Sequence, residues 1–365
     1  MSDANPDPTV PSVRTGQGST KLSREEFGQR YQAQFYDPAF DAARSEIERL
    51  TNIAWEAYEA GRKSPRTRKA GPEFADPQQE LSVEWLATRE RIGEARREFE
   101  RRDGDSRILL ICASPRTDET CPGEMSKTFR LAQHARDAIA TDAGFACDFL
   151  DLSRQVSEYG RKILPCKACV STAMPLCHWP CSCYPNHYMG QIHDWMNELY
   201  PRWVAAHGVM IITPVHWYQA PSVLKLMMDR LVCADGGNPD PTTTDGKDAA
   251  KAKAIELKGW HFPKHLAGRL FSVIAHGDTE GTDGVRRDLH DWLTDMEMVP
   301  AGGAAEIDRY IGYYEPYATS HDALDRDAAL MEETKNAVRT LMAAVREMRQ
   351  GRRPPGDELK SPRPK

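Results

Sequence analysis

The sequence predicts an α/β fold in which a parallel sheet is covered by helices on both faces, with a helical extension before it and a further helix after it. Short apolar runs rich in β-branched residues and leucine, beginning with RILLICA at Arg107, are typical of strands buried on both faces. Amphipathic segments alternate with these runs, which predicts parallel strands joined by right-handed helical crossovers. The chain has 365 residues, enough for one large domain with an appendage or for two modest domains.

The two ends of the chain carry no periodic pattern. Residues 1–20 are rich in Pro, Ser, Thr and Gly, and residues 351–365 are charged and interrupted by prolines, so we expect both ends to be disordered. The start has no apolar signal segment, and no apolar run is long enough to cross a bilayer. We therefore expect a cytoplasmic protein.

Residues 21–104 are predicted as a helical extension. SREE at Ser23 resembles a capping box, and apolar residues recur at helical spacing from Ile47 to Tyr58. A segment with proline and glycine, Ser64 to Pro77, separates these helices from a third that is rich in charges. We expect the helices, together with residues 233–269, to form a cap or a dimer contact, because their apolar stripes need a surface to cover them.

Residues 105–350 are predicted as one domain of alternating strands and helices. After RILLICA, the predicted strands are FACDFLDL, GVMIITP and FSVIAHG. The predicted helices are Ser126–Asp142, Tyr188–His207, Ser222–Leu231, Val285–Met296 and a long last helix, His321–Arg349. The net charge of −6 is shared among many acids and bases, so neither nucleic acid nor a membrane is expected as a partner.

The loop after the first strand favours a phosphate site. Ligands of parallel sheets bind at the carboxyl ends of the strands, and this loop places Ser114, Arg116, Ser126 and Thr128 at the start of a helix. A helix N-terminus offers free N–H groups to an anion. The fingerprints G-x-x-x-x-G-K-[ST] and G-x-G-x-x-G are missing, which argues against ATP hydrolysis and against Rossmann-type dinucleotide binding. A plain helix cap is the alternative.

Three stretches carry a family resemblance. S-P-R at Ser114 and S-K-T at Ser126 follow the first strand, T-P-V-x-W and L-K-x-x-x-D-R follow the third, and H-G-D-x-x-G at His276 follows the fourth. In this order the sequence resembles the NADPH-dependent FMN reductases and iron-sulfur flavoproteins of the flavodoxin-like superfamily, over residues 107–303. The resemblance implies a flavodoxin-like three-layer α/β/α fold with a central parallel sheet of five strands.

The resemblance also implies which residues hold FMN. It assigns the phosphate of FMN to Ser114, Arg116, Ser126, Lys127 and Thr128. It assigns one wall of the isoalloxazine site to Pro214, Val215, His216, Trp217 and Tyr218, and the other flank to His276, Gly277 and Asp278. Core packing is the alternative for Trp217 and Tyr218, and ion pairing is the favoured interpretation of Lys225, Asp229 and Arg230. The phosphate loop departs from the family pattern by an insertion at Cys121, Pro122 and Gly123.

The activity implied by the resemblance is electron transfer from NAD(P)H through bound FMN to a small acceptor such as a quinone or a free flavin. FMN is expected rather than FAD, because one phosphate cradle is present and the dinucleotide fingerprint is missing. The cofactor would supply the redox chemistry, so no catalytic residues are assigned. The alternatives are an iron-sulfur flavoprotein that relays electrons and a non-catalytic flavin-binding scaffold or sensor. A homodimer or homotetramer is expected.

Five of the nine cysteines form a cluster with the spacing C-x2-C-x7-C-x3-C-x-C: Cys166, Cys169, Cys177, Cys181 and Cys183. In a cytosolic chain such clustering favours metal or redox chemistry over structural disulfides. An iron-sulfur cluster, a zinc site that includes His178, and a loop of reduced thiols are the alternatives. The spacing favours reduced thiols, because Thr172 stands where a compact cluster motif has its third cysteine. Separately, Cys112, Cys147 and Cys233 are predicted to be small buried hydrophobic residues.

Overall fold

A computed structural model of the chain describes residues 12–61, 64–121, 123–184 and 194–352. The disorder expected for residues 1–20 and 351–365 and the start of the helix predicted from Tyr188 lie partly or wholly outside these described residues. Their strands are β1 (Thr67–Lys69), β2 (Glu80–Ser82), β3 (Ser106–Cys112), β4 (Phe145–Asp151), β5 (Gly208–Pro214), β6 (Leu270–Gly277), β7 (Val299–Pro300) and β8 (Glu306–Tyr310). Their α-helices are α1 (Arg24–Gln32), α2 (Arg44–Glu59), α3 (Val83–Glu100), α4 (Lys127–Ile139), α5 (Arg154–Ser157), α6 (Met196–Ala205), α7 (Ser222–Arg230), α8 (Ala249–Leu257), α9 (Thr282–Asp295), α10 (Tyr317–Arg326) and α11 (Ala328–Arg349).

The chain divides into two compact units. Among the described residues, the small unit comprises those within Met1–Ala87, Lys167–Asp194 and Asn238–His261. The large unit comprises the described residues within Thr88–Cys166, Trp195–Gly237 and Phe262–Lys365. The division into a helical extension, residues 21–104, and one domain, residues 105–350, stays a prediction.

The large unit is built on a parallel sheet. Its strand order is β4-β3-β5-β6, and β7 and β8 both pair with β6 on the side away from β5. In this register Ile108 of β3 lies opposite Cys147 of β4 and Gly208 of β5. If β7 is left aside, the order along the chain is 2-1-3-4-5, which is that of the flavodoxin-like fold. The predicted fold class is therefore confirmed.

The sheet has six strands, so the expected count of five is wrong. The additional strand, β7, has two residues and pairs with Leu270 and Phe271 at the start of β6. Further along the same side, β8 pairs with Val273–Gly277 of β6. Two short segments therefore pair with one edge of β6. A strand of two residues is too short to show a periodic hydrophobic pattern, so β7 could not be predicted from the sequence.

The core of the large unit lies between the sheet and helices α4 and α11. Ile108 and Ile212 from the sheet pack in one cluster with Leu131 of α4 and with residues of α11. Gly208 is required at the start of β5, because a Cβ there would lie 2.9 Å from Val345 Cγ2 and 3.1 Å from Leu341 Cδ1 of α11. The missing side chain lets α11 approach the sheet closely.

The last helix differs from the prediction. The pattern from His321 to Arg349 predicts one long helix, but two helices, α10 and α11, meet at Asp327. The Asp327 carboxylate accepts a hydrogen bond from Leu330 N at 2.9 Å and so caps the start of α11. An Asp in the interior of a helical pattern can therefore mark a second start instead of a solvent-facing position.

The small unit confirms the predicted start of the first helix. Ser23 and Glu26 form a reciprocal capping box on α1, and Phe27 of α1 packs against Trp55 and Tyr58 of α2. Between these helices and α3, strands β1 and β2 pair antiparallel, and the sequence analysis predicts neither strand. Phe74 and Trp85 lie in a small apolar cluster beside this pair.

The cysteines predicted to be buried divide into two cases. Cys112 and Cys233 are almost completely buried, as predicted. Cys147 on the edge strand β4 is only partly buried, and that burial raises the pKa of its thiol to about 11. Among the described residues, no helix is both long enough and apolar enough to cross a bilayer.

Candidate functional site

The carboxyl ends of β3, β5 and β6 open onto one cleft of the large unit. It contains about 550 Å³ outside protein atoms, counting solvent at its mouth. Its lining comprises Ser114, Arg116, Ser126, Lys127, Thr128, Pro214, Val215, His216, His276, Gly277, Asp278, Ile311 and Tyr317. The fold thus brings together the predicted residues of all three loops except Trp217 and Tyr218, which follow His216 in the chain but do not line the cleft.

The loop after β3 ends at the N-terminus of α4. Ser126 caps this helix, and its Oγ accepts a hydrogen bond from Phe129 N at 3.1 Å. Ser114 Oγ accepts one from Arg116 N at 3.2 Å. Each hydroxyl therefore shapes the loop as an acceptor and keeps its own proton to donate. Ser126 is therefore a helix cap, and donation from either hydroxyl to an anion stays a prediction.

Arg116 has unused donors. Its Nη1 donates to Tyr317 Oη at 2.6 Å, and the guanidinium lies 5.3 Å from the centre of the Tyr317 ring. Within the described part of the chain, Arg116 Nε and Nη2 are buried and have no hydrogen-bond partner. Because buried donors without a partner are costly, this pair indicates a missing anionic acceptor.

Lys127, the first residue of α4, adds a second cation. Its ammonium donates to Ile311 O at 3.2 Å and lies 5.4 Å from the centre of the Tyr317 ring. Burial lowers the pKa of Lys127, and the carboxylates of Asp278 and Glu124 oppose this shift. An anion in the cleft would stabilise the charged ammonium and remove part of the cost of its burial.

Tyr317 and Ile311 are the lining residues that the sequence did not predict. Tyr317 begins α10 directly after Pro316, and burial raises the pKa of its hydroxyl. Ile311 follows β8, a strand for which we assigned no sequence run. The available signal was the run EIDRY, which precedes I-G-Y-Y-E-P. Its alternation of polar and apolar residues is too short to predict a strand, so the position of Tyr317 beyond that strand could not be predicted either.

Trp217 and Tyr218 form the tip of a tight turn. His216 and Gln219 exchange two backbone hydrogen bonds of 2.9 and 3.0 Å, and the residues between them have φ of 51° and 65°. Two positive φ values in a two-residue loop define a type I′ turn, which normally takes Asn-Gly. Trp217 is 93% exposed and Tyr218 61% exposed. The alternative that these rings are core residues is therefore wrong.

The turn has a specific support beneath it. A Cβ on Gly281 would lie 3.0 Å from Tyr218 Cδ1 and 3.1 Å from Tyr218 Cα. Gly281 also has a φ of 103°, which side-chain-bearing residues rarely adopt. The glycine that ends H-G-D-x-x-G therefore lets the aromatic turn pack against the start of α9.

The two histidines of the cleft are held neutral. His276 Nε2 lies 3.0 Å from Thr128 Oγ1, and burial, with smaller contributions from Lys127 and His216, lowers its pKa to about 3. Burial and the charge of Arg116 also lower the pKa of His216, although Asp278 opposes them. A neutral His276 can hold Thr128 in place but carries no charge toward a ligand at neutral pH.

The helix of L-K-x-x-x-D-R stabilises its own surroundings, as favoured from the sequence. Lys225 and Asp229 form an ion pair on the exposed face of α7. Arg230 is buried, and its Nη1 donates to Leu164 O at 3.0 Å. These three residues lie outside the lining of the cleft.

Four of the clustered cysteines, Cys169, Cys177, Cys181 and Cys183, belong to the small unit, and Cys166 belongs to the large unit. Cys169 Sγ and Cys183 Sγ lie 3.4 Å apart. His178, the further zinc ligand considered above, is buried between Ser182 Oγ and Thr244 Oγ1 at 2.6 and 3.0 Å. Within residues 12–61, 64–121, 123–184 and 194–352, no group of three or more His, Cys, Asp and Glu side chains could hold a metal ion.

The fold and the cleft define a flavodoxin-like α/β protein with a cationic, partly aromatic ligand site at the carboxyl edge of its sheet. Residues 106–310, more than half of the chain, match the model of the NADPH-dependent FMN reductase family. The chain therefore belongs to this family of FMN-dependent oxidoreductases. Its cleft fits the phosphate of FMN, because Arg116 offers two buried donors beside the N-terminus of α4.

The individual proteins that resemble this chain do so at low sequence identity or over part of its length. An iron-sulfur flavoprotein of Methanocaldococcus jannaschii is 34% identical over 119 residues, which are 32% of this chain and 48% of that protein. The chain thus matches about half the length of this curated relative. The structure of RosB with bound 8-demethyl-8-formylriboflavin-5'-phosphate is 13% identical, with a TM-score of 0.45, over 67% of this chain and 81% of that one. An FMN-dependent NADH-azoreductase from Bacillus anthracis in complex with FMN is 16% identical, with a TM-score of 0.33, over 65% and 99%.

Proposed function

We propose that the cleft of the large unit binds FMN and that the protein transfers electrons from NADPH or NADH to a small acceptor, a quinone or a free flavin. The observation that carries this proposal is the Arg116 guanidinium, whose Nε and Nη2 are buried and have no acceptor among the described residues, in the cleft at the N-terminus of α4. Membership of the family supports the choice of FMN. FMN, when bound, supplies the redox chemistry of the reaction.

The residues of the chain bind and orient. Arg116, Lys127 and the first turn of α4 neutralise the phosphate, and the hydroxyls of Ser114, Ser126 and Thr128 complete its hydrogen bonds. Trp217 and Tyr218 offer exposed rings to the isoalloxazine, together with Pro214, Val215 and His216. His276, Gly277 and Asp278 form the opposite flank. In this arrangement no side chain of the cleft is needed as a general base.

The backbone strain of the aromatic turn supports this assignment. Positive φ at a tryptophan and a tyrosine costs on the order of 1–3 kcal/mol each, and such strain persists where function requires it. A type I′ turn made of Asn-Gly would have the same shape without the cost. We therefore infer that the two exposed rings have a role in binding that outweighs the stability lost through the strained turn.

The proposal is tested by extracting the cofactor from the purified protein and measuring its mass. FMN is expected; FAD, or no flavin after incubation with excess FMN, would contradict the proposal. Steady-state oxidation of NADPH and of NADH is then measured with a quinone, with free flavin and without acceptor. Acceptor-dependent turnover is expected, whereas bound FMN without turnover would favour the flavin-binding scaffold or sensor.

The electron-relay alternative is separated by iron content. The identity with the M. jannaschii iron-sulfur flavoprotein is the observation that favours it. Iron, zinc and acid-labile sulfide are measured after anaerobic purification. Near-stoichiometric iron with sulfide would make the relay the better description, and their absence with acceptor-dependent turnover would favour the reductase.

A further inference from the structure

Two cysteines of the small unit lie side by side against an ammonium group. Cys169 Sγ is 3.4 Å from Cys183 Sγ. Lys247 Nζ lies 3.8 Å from Cys169 Sγ and 3.7 Å from Cys183 Sγ. The same ammonium donates to Leu176 O at 2.9 Å, which fixes it beside both sulfurs. The two cysteines are not joined by a disulfide, and both are partly exposed.

The charges of this cluster favour a thiolate on Cys169. The hydrogen bond from Cys183 and the charge of Lys247 outweigh the effect of burial and lower the pKa of Cys169 to about 6. Burial disfavours the ammonium of Lys247, but the neighbouring cysteines, Cys183 and Cys169 first, outweigh burial and raise its pKa. At neutral pH the thiolate of Cys169 therefore faces the ammonium of Lys247.

The local backbone holds Cys169 in position. Ala168 has a φ of 50° and precedes a short 3-10 helix, Cys169–Ser171. The next 3-10 turn is tied to α8, because Glu256 Oε1 accepts a hydrogen bond from Met174 N at 2.9 Å. The sulfurs must approach by roughly 1.4 Å to reach the bond length of a disulfide. Side-chain rotation can supply a movement of this size.

A cleft of the small unit adjoins the cluster at Lys247. It is lined by Lys247 and by Ser182, the neighbour of Cys183, and also by the buried side chains of Trp85 and His178. An indole and several hydroxyl groups near a cation suit a small organic molecule with polar groups. The cleft places such a molecule next to Lys247, the residue whose ammonium lies beside both sulfurs.

We propose that Cys169 and Cys183 form a thiol–disulfide exchange site that reduces low-molecular-weight disulfides. Cys169 is the nucleophile, Cys183 is the resolving thiol, and Lys247 stabilises the attacking thiolate. This activity is separate from the proposed electron transfer in the large unit, so either proposal can fail without the other.

The exchange balances in two steps. The Cys169 thiolate attacks one sulfur of a disulfide RSSR, and the S–S bond of RSSR breaks. The products are a mixed disulfide between Cys169 and one RS group and a released thiolate, RS⁻. Cys183 then gives its proton to the released RS⁻, and its thiolate attacks Cys169 Sγ and expels the second RS⁻. The protein is oxidised to the Cys169–Cys183 disulfide by two electrons, and RSSR is reduced to RSH and RS⁻.

The test uses the full chain, reduced and freed of reductant under anaerobic conditions, with glutathione disulfide as the probe. One equivalent is expected to disappear, two equivalents of glutathione to form, and the protein to lose two hydrogen atoms in mass. Peptide mapping should place the new disulfide between Cys169 and Cys183. Alkylation of Cys169 by iodoacetamide should rise with pH through a midpoint near 6, set by its lowered pKa.

Variants separate the roles of the residues. Cys183→Ser should stop at the mixed disulfide, with one glutathione retained on Cys169, and Cys169→Ser should prevent the exchange. Lys247→Met should move the alkylation midpoint upward and slow exchange at pH 7 by about tenfold, because loss of thiolate is partly offset by higher nucleophilicity. Lys247→Arg should largely keep the rate. Cys121→Ser, which removes an exposed cysteine of the large unit, is the control and should react as the parent does.

Three results would overturn the proposal. The first is a Cys169 that alkylates no faster than Cys121 at pH 7, and the second is a Cys183→Ser variant that traps no glutathione. The third is near-stoichiometric iron and acid-labile sulfide in the isolated protein that disappear in Cys169→Ser, since the sulfurs would then be cluster ligands. If Lys247→Met does not fold, the two cysteine variants still decide the question.

Discussion

Arg116 lines the cleft and has donors for which the described residues supply no acceptor. Tyr317 uses Nη1, and Nε and Nη2 remain for a ligand. A guanidinium presents these donors as a rigid fork that matches two phosphate oxygens, whereas an ammonium acts as a point charge. This difference predicts how substitutions of Arg116 should affect FMN.

We expect Arg116→Ala to weaken FMN binding while the protein stays folded. Charge-assisted hydrogen bonds contribute roughly 1.5–3 kcal/mol, so the dissociation constant should rise by about ten- to a hundredfold. Arg116→Lys should recover only part of the affinity, and joint replacement of Ser126 and Thr128 by Ala should also weaken binding. Calorimetric titration of the apoprotein is the measurement. Unchanged affinity in all three variants would move the phosphate site elsewhere.

Tyr317 is expected to act through Arg116. Tyr317→Phe removes the oxygen that accepts from Arg116 Nη1 at 2.6 Å but keeps the ring against which Arg116 and Lys127 lie. Loss of one hydrogen bond that contributes about 1 kcal/mol predicts about a fivefold loss of FMN affinity. This loss is smaller than the loss expected for Arg116→Ala. Tyr314→Phe is the control, because Tyr314 is 94% exposed. Equal effects of the two substitutions would contradict this role.

His276 should make the apoprotein sensitive to acid. Its pKa is lowered to about 3 by burial, whereas an unfolded histidine titrates near 6.5, so between these values the unfolded chain binds the extra proton. Stability from this group is therefore complete above pH 6.5 and falls by about 1.4 kcal/mol for each pH unit below it. We expect urea unfolding at pH 7 and pH 5 to show a smaller loss in His276→Gln, whose amide can still reach Thr128. An identical loss in parent and variant would refute the prediction.

At the scale of an element, the aromatic turn after β5 combines a backbone conformation that Trp217 and Tyr218 disfavour with a proposed role of their rings in FMN binding. Trp217→Asn combined with Tyr218→Gly should stabilise the apoprotein by about 1 kcal/mol or more, because Asn-Gly adopts the type I′ turn without strain. The same change should weaken FMN binding through the loss of both rings. Thermal unfolding and FMN titration are measured on one preparation. A variant that loses stability would show that the turn is not strained.

The elements that the sequence predicts well are those with a strong local pattern. RILLICA, GVMIITP and FSVIAHG correspond to β3, β5 and β6, and Ser126 is the N-cap of α4 as the sequence indicates. In contrast, β7 and β8 and the break at Asp327 depend on pairing with β6 and on one capping bond. The site follows the same division. Residues on loops after the central strands were predictable, whereas Tyr317 was missed because its position depends on β8.

At the scale of the whole molecule, residues 88–104 have contacts in the large unit. The ring of Phe99 stacks on His207 with centroids 5.2 Å apart, and the Arg269 guanidinium lies 4.2 Å from the centre of the Phe99 ring. Arg349 at the end of α11 donates to Arg101 O at 2.7 Å. The end of α3 is therefore part of the packing around the sheet, and a truncation should respect it.

We expect deletion of residues 1–104 to lower the melting temperature and solubility more than deletion of residues 1–87. The longer deletion exposes His207 and Arg269 and removes two backbone acceptors of Arg349, Arg101 O and Gly104 O, whereas the shorter one keeps all of these contacts. Thermal unfolding and light scattering of the two truncated proteins give the comparison. Equal behaviour would show that the end of α3 contributes little. Light scattering of the full chain tests the expected homodimer or homotetramer.

The exposed tip of the aromatic turn also makes the protein its own optical probe. Of the eight tryptophans, all within the described residues, Trp217 is the one with a large exposed surface. Its emission should lie at the red end of the spectrum of the apoprotein, since a water-exposed indole relaxes its excited state against solvent dipoles. A chromophore that stacks on this ring would quench that component, and Trp217→Phe would remove it. Ligand entry could then be followed in real time by stopped-flow fluorescence without any label.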